Sequence, residues 1–271
     1  MSALAKRSNA DRLRKAVRDP RSILIKILQQ GIDSLRGYSY DFHKNGEKEL
    51  LSRLSVLNPQ VVFDVGCNVG EWSQTAIRYF PNARIHCFEL SDSTFKTLSE
   101  NLKGPNFVLN NMGMGDKDAV VEYKDYGDNS KVNTLLVDAT YHDRKIDFQM
   151  KRSTIRSGDS YCAEQGIEAI DFLKIDVEGA DHLVLEGFAG LLQKKAIRVV
   201  QFEYGYTHGD AKFLMRDFHR LFERHGYTVG RVQKGGIVFE GWNYKQNDFR
   251  SGPNYVAIRS DDAEMALMLA S

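Results

Sequence analysis

The sequence predicts a Rossmann-like α/β domain, and three observations carry that expectation. Over residues 56–260, short β-rich apolar runs alternate with segments of helical spacing, the rhythm of a mostly parallel sheet covered on both faces. A glycine-bearing turn, "DVGCNVG", sits between the first run and the first helix. Later runs end on "FEL", "DVEG" and "FEYGYTHGD", polar or glycine residues at the strand exits where open sheets of this kind bind ligands.

Taken in order, residues 1–55 read as a helical N-terminal extension, with "GIDSLRGYSYDF" breaking two periodic segments. "VVFDVG" (61–66) is a strand and "EWSQTAIRYF" (71–80) a helix. "ARIHCFEL" (83–90) is a strand, and "SDSTFKTLSENLKG" (91–104) a helix with a Ser cap and a closing Gly. "NFVLNNM" is a third strand. Residues 116–157 change character: "AVVEYKDYG" and "KIDFQMKRSTI" alternate like hairpin strands, which marks a β insertion. "IDFLKIDV", "ADHLVLEGFAGLL", "IRVVQFEYG" and "AKFLMRDFHRLFERHGY" resume the strand–helix rhythm. "YTVGRVQ" and "NYVAIRS" form a terminal antiparallel pair around an aromatic, Gly-rich insertion, and residues 261–271 are a tail.

The chain has 271 residues and a net charge of +1, so overall charge argues neither for nor against a nucleic-acid partner. Locally the balance differs. Residues 1–30 hold eight Lys and Arg against Asp11 and Asp19, 8 − 2 = +6, enough to touch an anionic surface or to coat a solvated helix. Cys67, Cys87 and Cys162 are few, odd in number and without C-x-x-C spacing. They exclude a disulfide framework and suggest a cytoplasmic protein without a zinc site. No apolar run reaches the length of a signal peptide or a membrane span; "SILIKILQ" reads as one face of a helix.

"FDVGCNVGEW" gives Asp64, Gly66 and Gly70 a D-x-G-x-x-x-G spacing. A dinucleotide fingerprint needs a second Gly where Asn68 stands, so a pyrophosphate is a poor guest and a nicotinamide oxidoreductase is disfavoured. The loop suits a ligand with a small carboxylate, such as the methionine part of S-adenosylmethionine, with Asp64 receiving its ammonium directly or through water. Glu89 ends the second strand, nineteen residues beyond Gly70, where a carboxylate accepts hydrogen bonds from ribose hydroxyls.

"VVFDVGCNVGEWS", "NNMGMGD" and especially "IDFLKIDVEGADHLVLEG" resemble the FkbM-type S-adenosylmethionine-dependent methyltransferases over roughly residues 55 to 260. The resemblance implies a class I methyltransferase fold, a seven-stranded sheet whose last strand is antiparallel. It also implies that Asp64, Gly66, Asn68 and Gly70 line the methionine side of the cofactor. Glu89 would hold the ribose, and Asn111 and Met112 would lie near the adenine. In "STIRSGDSYC", Asp159 matches the family's Thr-Leu-Asp segment.

A sulfonium is already an activated electrophile, so an alcohol acceptor needs alignment and a base, or a metal that acidifies it. Asp176, Glu178 and His208 are the candidate bases. Asp176 and Glu203 are the alternative ligands of a divalent cation, although no third ligand stands at a fixed spacing, so metal-free base catalysis is the favoured reading. Lys174 is either an ion-pair partner of Asp176, two residues along one strand face, or a contact to the acceptor. Glu203, Tyr204, Tyr206 and Trp242, with Tyr244 near the last, would face the acceptor, since aromatic faces beside polar groups suit a sugar ring. The expected activity is O-methylation of a sugar (nucleotide-sugar or polysaccharide) or a secondary metabolite. A nucleic-acid methyltransferase using the basic arm, and a non-catalytic cofactor-binding protein, are the other readings; "N-P-P-Y"-like sequence is absent after the fourth strand.

Overall fold

A computed structural model describes residues 20–35, 38–39, 41–127, 135, 148–249 and 253–270. Most of the basic arm, residues 1–19, lies outside them, as do residues 128–134 and 136–147 of the β insertion.

Eleven strands are found among the described residues. β1 (Val61–Val65), β2 (Arg84–Phe88), β3 (Phe107–Asn110), β7 (Ile170–Ile175), β8 (Ile197–Glu203), β9 (Tyr227–Gln233), β10 (Gly236–Phe239) and β11 (Asn254–Arg259) make one sheet. Its order is β10-β9-β11-β8-β7-β1-β2-β3. Pairing is parallel from β3 through β8, and β11 is antiparallel to both β8 and β9. The sheet is thus the mostly parallel one expected, with the C-terminal strand reversed. It has an eighth strand beyond the seven: β10 pairs antiparallel with β9 across "KGG". This hairpin was hidden in what reads as a loop, because Gly235 and Gly236 supply the positive φ of a tight turn.

The strands alternate between two cores. Phe63, Val65, Leu173, Ile175, Val200 and Phe202 face one side, toward α6 (Asp181–Gly187), α7 (Ala189–Gln193) and α9 (Met215–Arg224). Val62, Ile85, Phe172, Val199, Val256 and Ile258 face the other. There they meet α2 (Glu47–Leu54), α3 (Glu71–Tyr79) and α10 (Ala263–Leu269). Central strands buried on both faces read as near-continuous apolar runs, as β1 and β7 do. α9 shows why the sequence chooses helix: Met215, Phe218, His219 and Phe222 recur at three- and four-residue steps and are buried, while Arg220, Glu223 and Arg224 stay exposed.

Some boundaries differ from the sequence reading. "ADHLVLEGFAGLL" is two helices, α6 and α7, meeting at Phe188. Gly187 packs so tightly that a Cβ there would sit 2.0 Å from the Gly115 carbonyl oxygen, and Asp159 on α5 (Gly158–Gln165) caps α7 by accepting from the Gly190 and Leu191 amides. Ser91 stands at the cap of α4 (Asp92–Asn101) without making a side-chain cap bond. α2, on the N-terminal side of residue 56, contributes Leu50, Leu51 and Leu54 to the core. Arg53 ties it to the C-terminal end through the carbonyls of Met268 and Ala270. The insertion is a separate sheet, β4 (Gly113–Met114), β6 (Gln149–Arg156) and β5 (Ala119–Asp125), with β5 and β6 antiparallel as read. α1 (Pro20–Leu35) precedes all of this, and no described helix is long and apolar enough to cross a membrane.

Candidate functional site

A cavity of about 930 Å³ opens at the carboxyl ends of β1, β2, β7 and β8. Gly66, Cys67 and Asn68 form one wall, Glu89 and Leu90 another, and Asp176 and Glu178 a third. β1 exits at Gly66 with φ +79°, and its amide and that of Cys67 both donate to the Phe88 carbonyl. A Cβ at Gly66 would lie 1.9 Å from the Asp176 carbonyl oxygen. Only glycine lets the β1 and β7 exits approach this closely.

Glu89 is buried at 7 % exposure. Its Oε2 accepts the Asn68 amide at 3.0 Å and its Oε1 the Ser91 amide at 2.9 Å. Burial outweighs these bonds and pushes its pKa up to about 7. Asn68 adopts φ 49°, which Asn tolerates better than most residues, and this turns its amide toward Glu89.

Lys174 and Asp64 are register partners on β7 and β1. Lys174 Nζ lies 3.3 Å from Asp64 Oδ1 and 3.2 Å from Asp176 Oδ2, and 5.7 Å from the Trp72 ring centroid. Burial alone would lower the lysine pKa, but Asp176 and Asp64 outweigh it and raise it. The ammonium is therefore fixed as a cation between two strand ends. Asp64 is fully buried, and Ser73 Oγ on α3 donates to its other oxygen at 2.7 Å.

Beyond β7 the chain turns through Glu178 (φ 55°) and Gly179 (φ 97°). This brings Glu178 round to Asp176 and to Glu203 at the end of β8, so that one oxygen of each lies within 4.8 Å of the others. Two strand-end acids are readable as candidate ligands from the sequence; the third is supplied by a turn, which spacing does not reveal. Burial, then repulsion from Asp176 and Glu178, holds the Glu203 pKa well above the usual carboxylate range. Three clustered acids thus favour holding a proton on Glu203 more than on an isolated carboxylate, or sharing a cation.

The placements of the expected site residues divide. Gly66, Asn68, Glu89, Lys174, Asp176, Glu178, Glu203 and Tyr206 line the cavity. Asp64 is not among the lining residues: it lies behind the cavity wall, one oxygen held by Lys174 and the other by Ser73, which argues against direct contact with a ligand's ammonium. Gly70 packs against Leu98 and Leu102, where its φ of +88° starts α3. Asn111 donates to Asp92 on the surface and Met112 packs on the core; neither lines the cavity, whose floor here is Gly113 and Met114. His208, in the one-turn α8 (Thr207–Asp210), is 1 % exposed. Its Nδ1 accepts the Gly205 amide and its Nε2 lies 3.3 Å from Asp181 Oδ2, so the imidazole holds loops together and does not reach the cavity. Tyr204 is fully buried among Phe218, Phe249 and Tyr255, and Trp242 packs edge-on against Tyr244 outside the cavity. Sequence reading missed Trp72, Phe42 and Glu47 as lining residues. Trp72 lay in plain view in the first helix, but its side of that helix is not given by spacing alone.

The Methyltransferase FkbM domain model matches residues 64–229. The chain belongs to this family. The match spans β1 to β9 and so includes both carboxylate-bearing strand exits. Among relatives of this FkbM-domain methyltransferase, the 2-O-methyltransferase NoeI of Sinorhizobium fredii is 25 % identical over 168 residues. That alignment covers 58 % of this chain and 68 % of NoeI. The 31-O-demethyl-FK506 methyltransferase FkbM of Streptomyces tacrolimicus is 26 % identical over 212 residues, 69 % of this chain and 78 % of that one. The AMB antimetabolite synthetase AmbE of Pseudomonas aeruginosa is 27 % identical over 242 residues, 76 % of this chain but 11 % of that much longer protein.

Proposed function

We propose that this FkbM-domain protein transfers a methyl group from S-adenosylmethionine to a hydroxyl of a sugar or a secondary metabolite. The observation that carries the reading is the shared cavity: an adenosyl-type wall (Gly66, Asn68, Glu89) faces a carboxylate group (Asp176, Glu178, Glu203) across one space. Two relatives whose names specify methylation at oxygen support the hydroxyl acceptor.

The residues present fit the cofactor. Glu89 keeps lone pairs for two ribose hydroxyls after accepting two amides. Trp72 Nε1 lines the same region, buried and without a hydrogen-bond partner, a donor available to a ligand carboxylate. When bound, the cofactor supplies a methyl group already activated as a sulfonium. The chain's task is then to aim and deprotonate the acceptor.

Glu203 is the best-tuned base of the group, because a raised pKa brings a carboxylate toward the basicity that proton abstraction near neutrality needs. Asp176, held by Lys174, is placed as an orienting acceptor for the hydroxyl. Tyr206, half exposed at the rim, and Phe42 offer ring faces to a sugar. The third carboxylate, Glu178, favours a second reading in which the group holds a divalent cation that acidifies the hydroxyl.

Calorimetry with S-adenosylmethionine, its demethylated product and NAD tests the cofactor, with Glu89→Ala as control. Binding of both sulfur ligands, weakened in the variant, is the expected result; failure of both to bind overturns the reading. Turnover that survives exhaustive chelation selects base catalysis, and turnover lost to chelation and restored by magnesium selects the cation.

A further inference from the structure

We infer that helix α1, with the basic sequence before it, docks this methyltransferase on an anionic lipid bilayer. α1 is a 16-residue helix, Pro20–Leu35. Ile23, Leu24, Ile25, Ile27, Leu28 and Ile32 on it are each between 45 % and 57 % exposed. At 3.6 residues per turn these six fill an arc of roughly 200°. Ser22, Lys26, Gln29, Gln30 and Asp33 fill the opposite one. An isolated helix of this length is marginal in water, and so large an apolar face calls for an occupant.

Three observations commit the occupant to a bilayer surface. First, charge: residues 1–30 carry +6, and Arg21, the one charged residue on the apolar side, sits in the first turn, where its long stem lets the guanidinium reach a headgroup. Second, length: sixteen residues are too few to span a hydrocarbon core but suit a helix lying in the interface. Third, a nucleic acid would meet the basic residues but leave the apolar arc in water. A bilayer with anionic headgroups meets both the apolar and the basic requirement.

The docking segment leads straight into the site. Tyr38 fastens the chain after α1 to the domain, its hydroxyl donating to the Phe249 carbonyl at 3.4 Å. Asp41, six positions beyond Leu35, already lines the cavity. Docking of α1 therefore tethers the cavity to the membrane by only six residues of chain, a reach of about 20 Å. For the proposed methyl transfer, on which this step rests, so short a tether suits an acceptor carried on a lipid.

The test is co-sedimentation of the full chain with vesicles of neutral phosphatidylcholine alone or mixed with about a third phosphatidylglycerol. The expected result is binding at least about tenfold stronger to the anionic vesicles, weakened steeply by salt. A Leu24→Glu/Leu28→Glu double variant, placed on exposed positions that the domain core does not use, abolishes it while leaving the thermal midpoint unchanged. Absence of binding to either vesicle overturns the proposal. So does binding that the double variant retains, as does a lipid-independent dimer in light scattering that the double variant dissolves. Retention on duplex DNA but not on vesicles overturns it in favour of a nucleic-acid partner.

Discussion

Lys174 and Asp64 face each other across neighbouring strands with 3.3 Å between ammonium and carboxylate, both essentially shut off from water. The pair explains a charged residue in the middle of a buried strand: Lys174 neutralises a carboxylate on β1 and then positions a second, Asp176, at the mouth of the cavity. Removing one partner of a buried pair strands the other. Lys174→Met is expected to lower unfolding free energy by about 3–5 kcal/mol, read from urea denaturation. A loss under 1 kcal/mol, the range of an exposed pair, would mean that water reaches this site.

Glu89 makes cofactor binding pH-dependent. Its pKa of about 7 in the free protein exceeds the ordinary 4.5, so the folded chain holds a proton that the unfolded chain has lost between those values. Stability therefore falls as pH rises from 4.5 to 7, by about 3 kcal/mol in all. Ribose hydroxyls donate to the charged form and lower this pKa, so binding near pH 6.5 releases a proton. Calorimetry in buffers of different ionisation enthalpy measures the release. Glu89→Gln is expected to abolish it, to weaken cofactor affinity, and to stabilise the free protein at pH 8.

Glu203 is expected to set the acid limb of the rate profile. Because its pKa is raised, the base form grows in at higher pH than for an ordinary carboxylate, and kcat should climb with pH and then level off. Glu203→Gln is expected to cut kcat by about 10²–10⁴-fold with cofactor affinity little changed. His208→Asn, altering a buried loop brace, should leave the shape of that profile intact. A limb that moves with His208 and not with Glu203 would transfer the role to the imidazole.

The sheet was legible because β1, β7 and β8 are continuous apolar runs whose period and flanking polar exits fix both burial and direction. Gly66, Asn68 and Glu89 were legible for the same reason: each lies at a strand exit, where position in the sequence is position in the site. What escaped depends on which way a side chain points after the chain turns. Asp64 ends on the Ser73 and Lys174 side of β1, and Tyr204, one residue past β8, turns into the aromatic core. The convergence of Glu178 on Glu203 likewise needs the two positive φ values after Val177, and these leave no pattern in hydrophobic periodicity. Polar residues one turn beyond a strand thus announce a site without saying which of them faces it.

Gly66 offers the sharpest test of how the two halves of the site are held in register. Its absent side chain lets the β1 exit lie against the Asp176 carbonyl, and its own amide and that of Cys67 are anchored to the Phe88 carbonyl. A methyl group 1.9 Å from that oxygen cannot be absorbed by a rotamer change, because the obstacle is backbone. The φ of +79° adds its own penalty for an L side chain. Gly66→Ala must therefore push the Asp176–Gly179 turn away from β1, parting the carboxylates from the Glu89 wall. The expected outcome is a loss of about 2–4 kcal/mol in stability together with a fall in kcat at saturating cofactor, since alignment of the acceptor suffers. Gly70→Ala supplies the comparison: its Cβ would meet the flexible side chains of Leu98 and Leu102 away from the cavity, so it should cost stability while sparing kcat. Equal loss of kcat in both variants would show that the whole loop, rather than its contact with the β7 exit, sets the geometry of transfer.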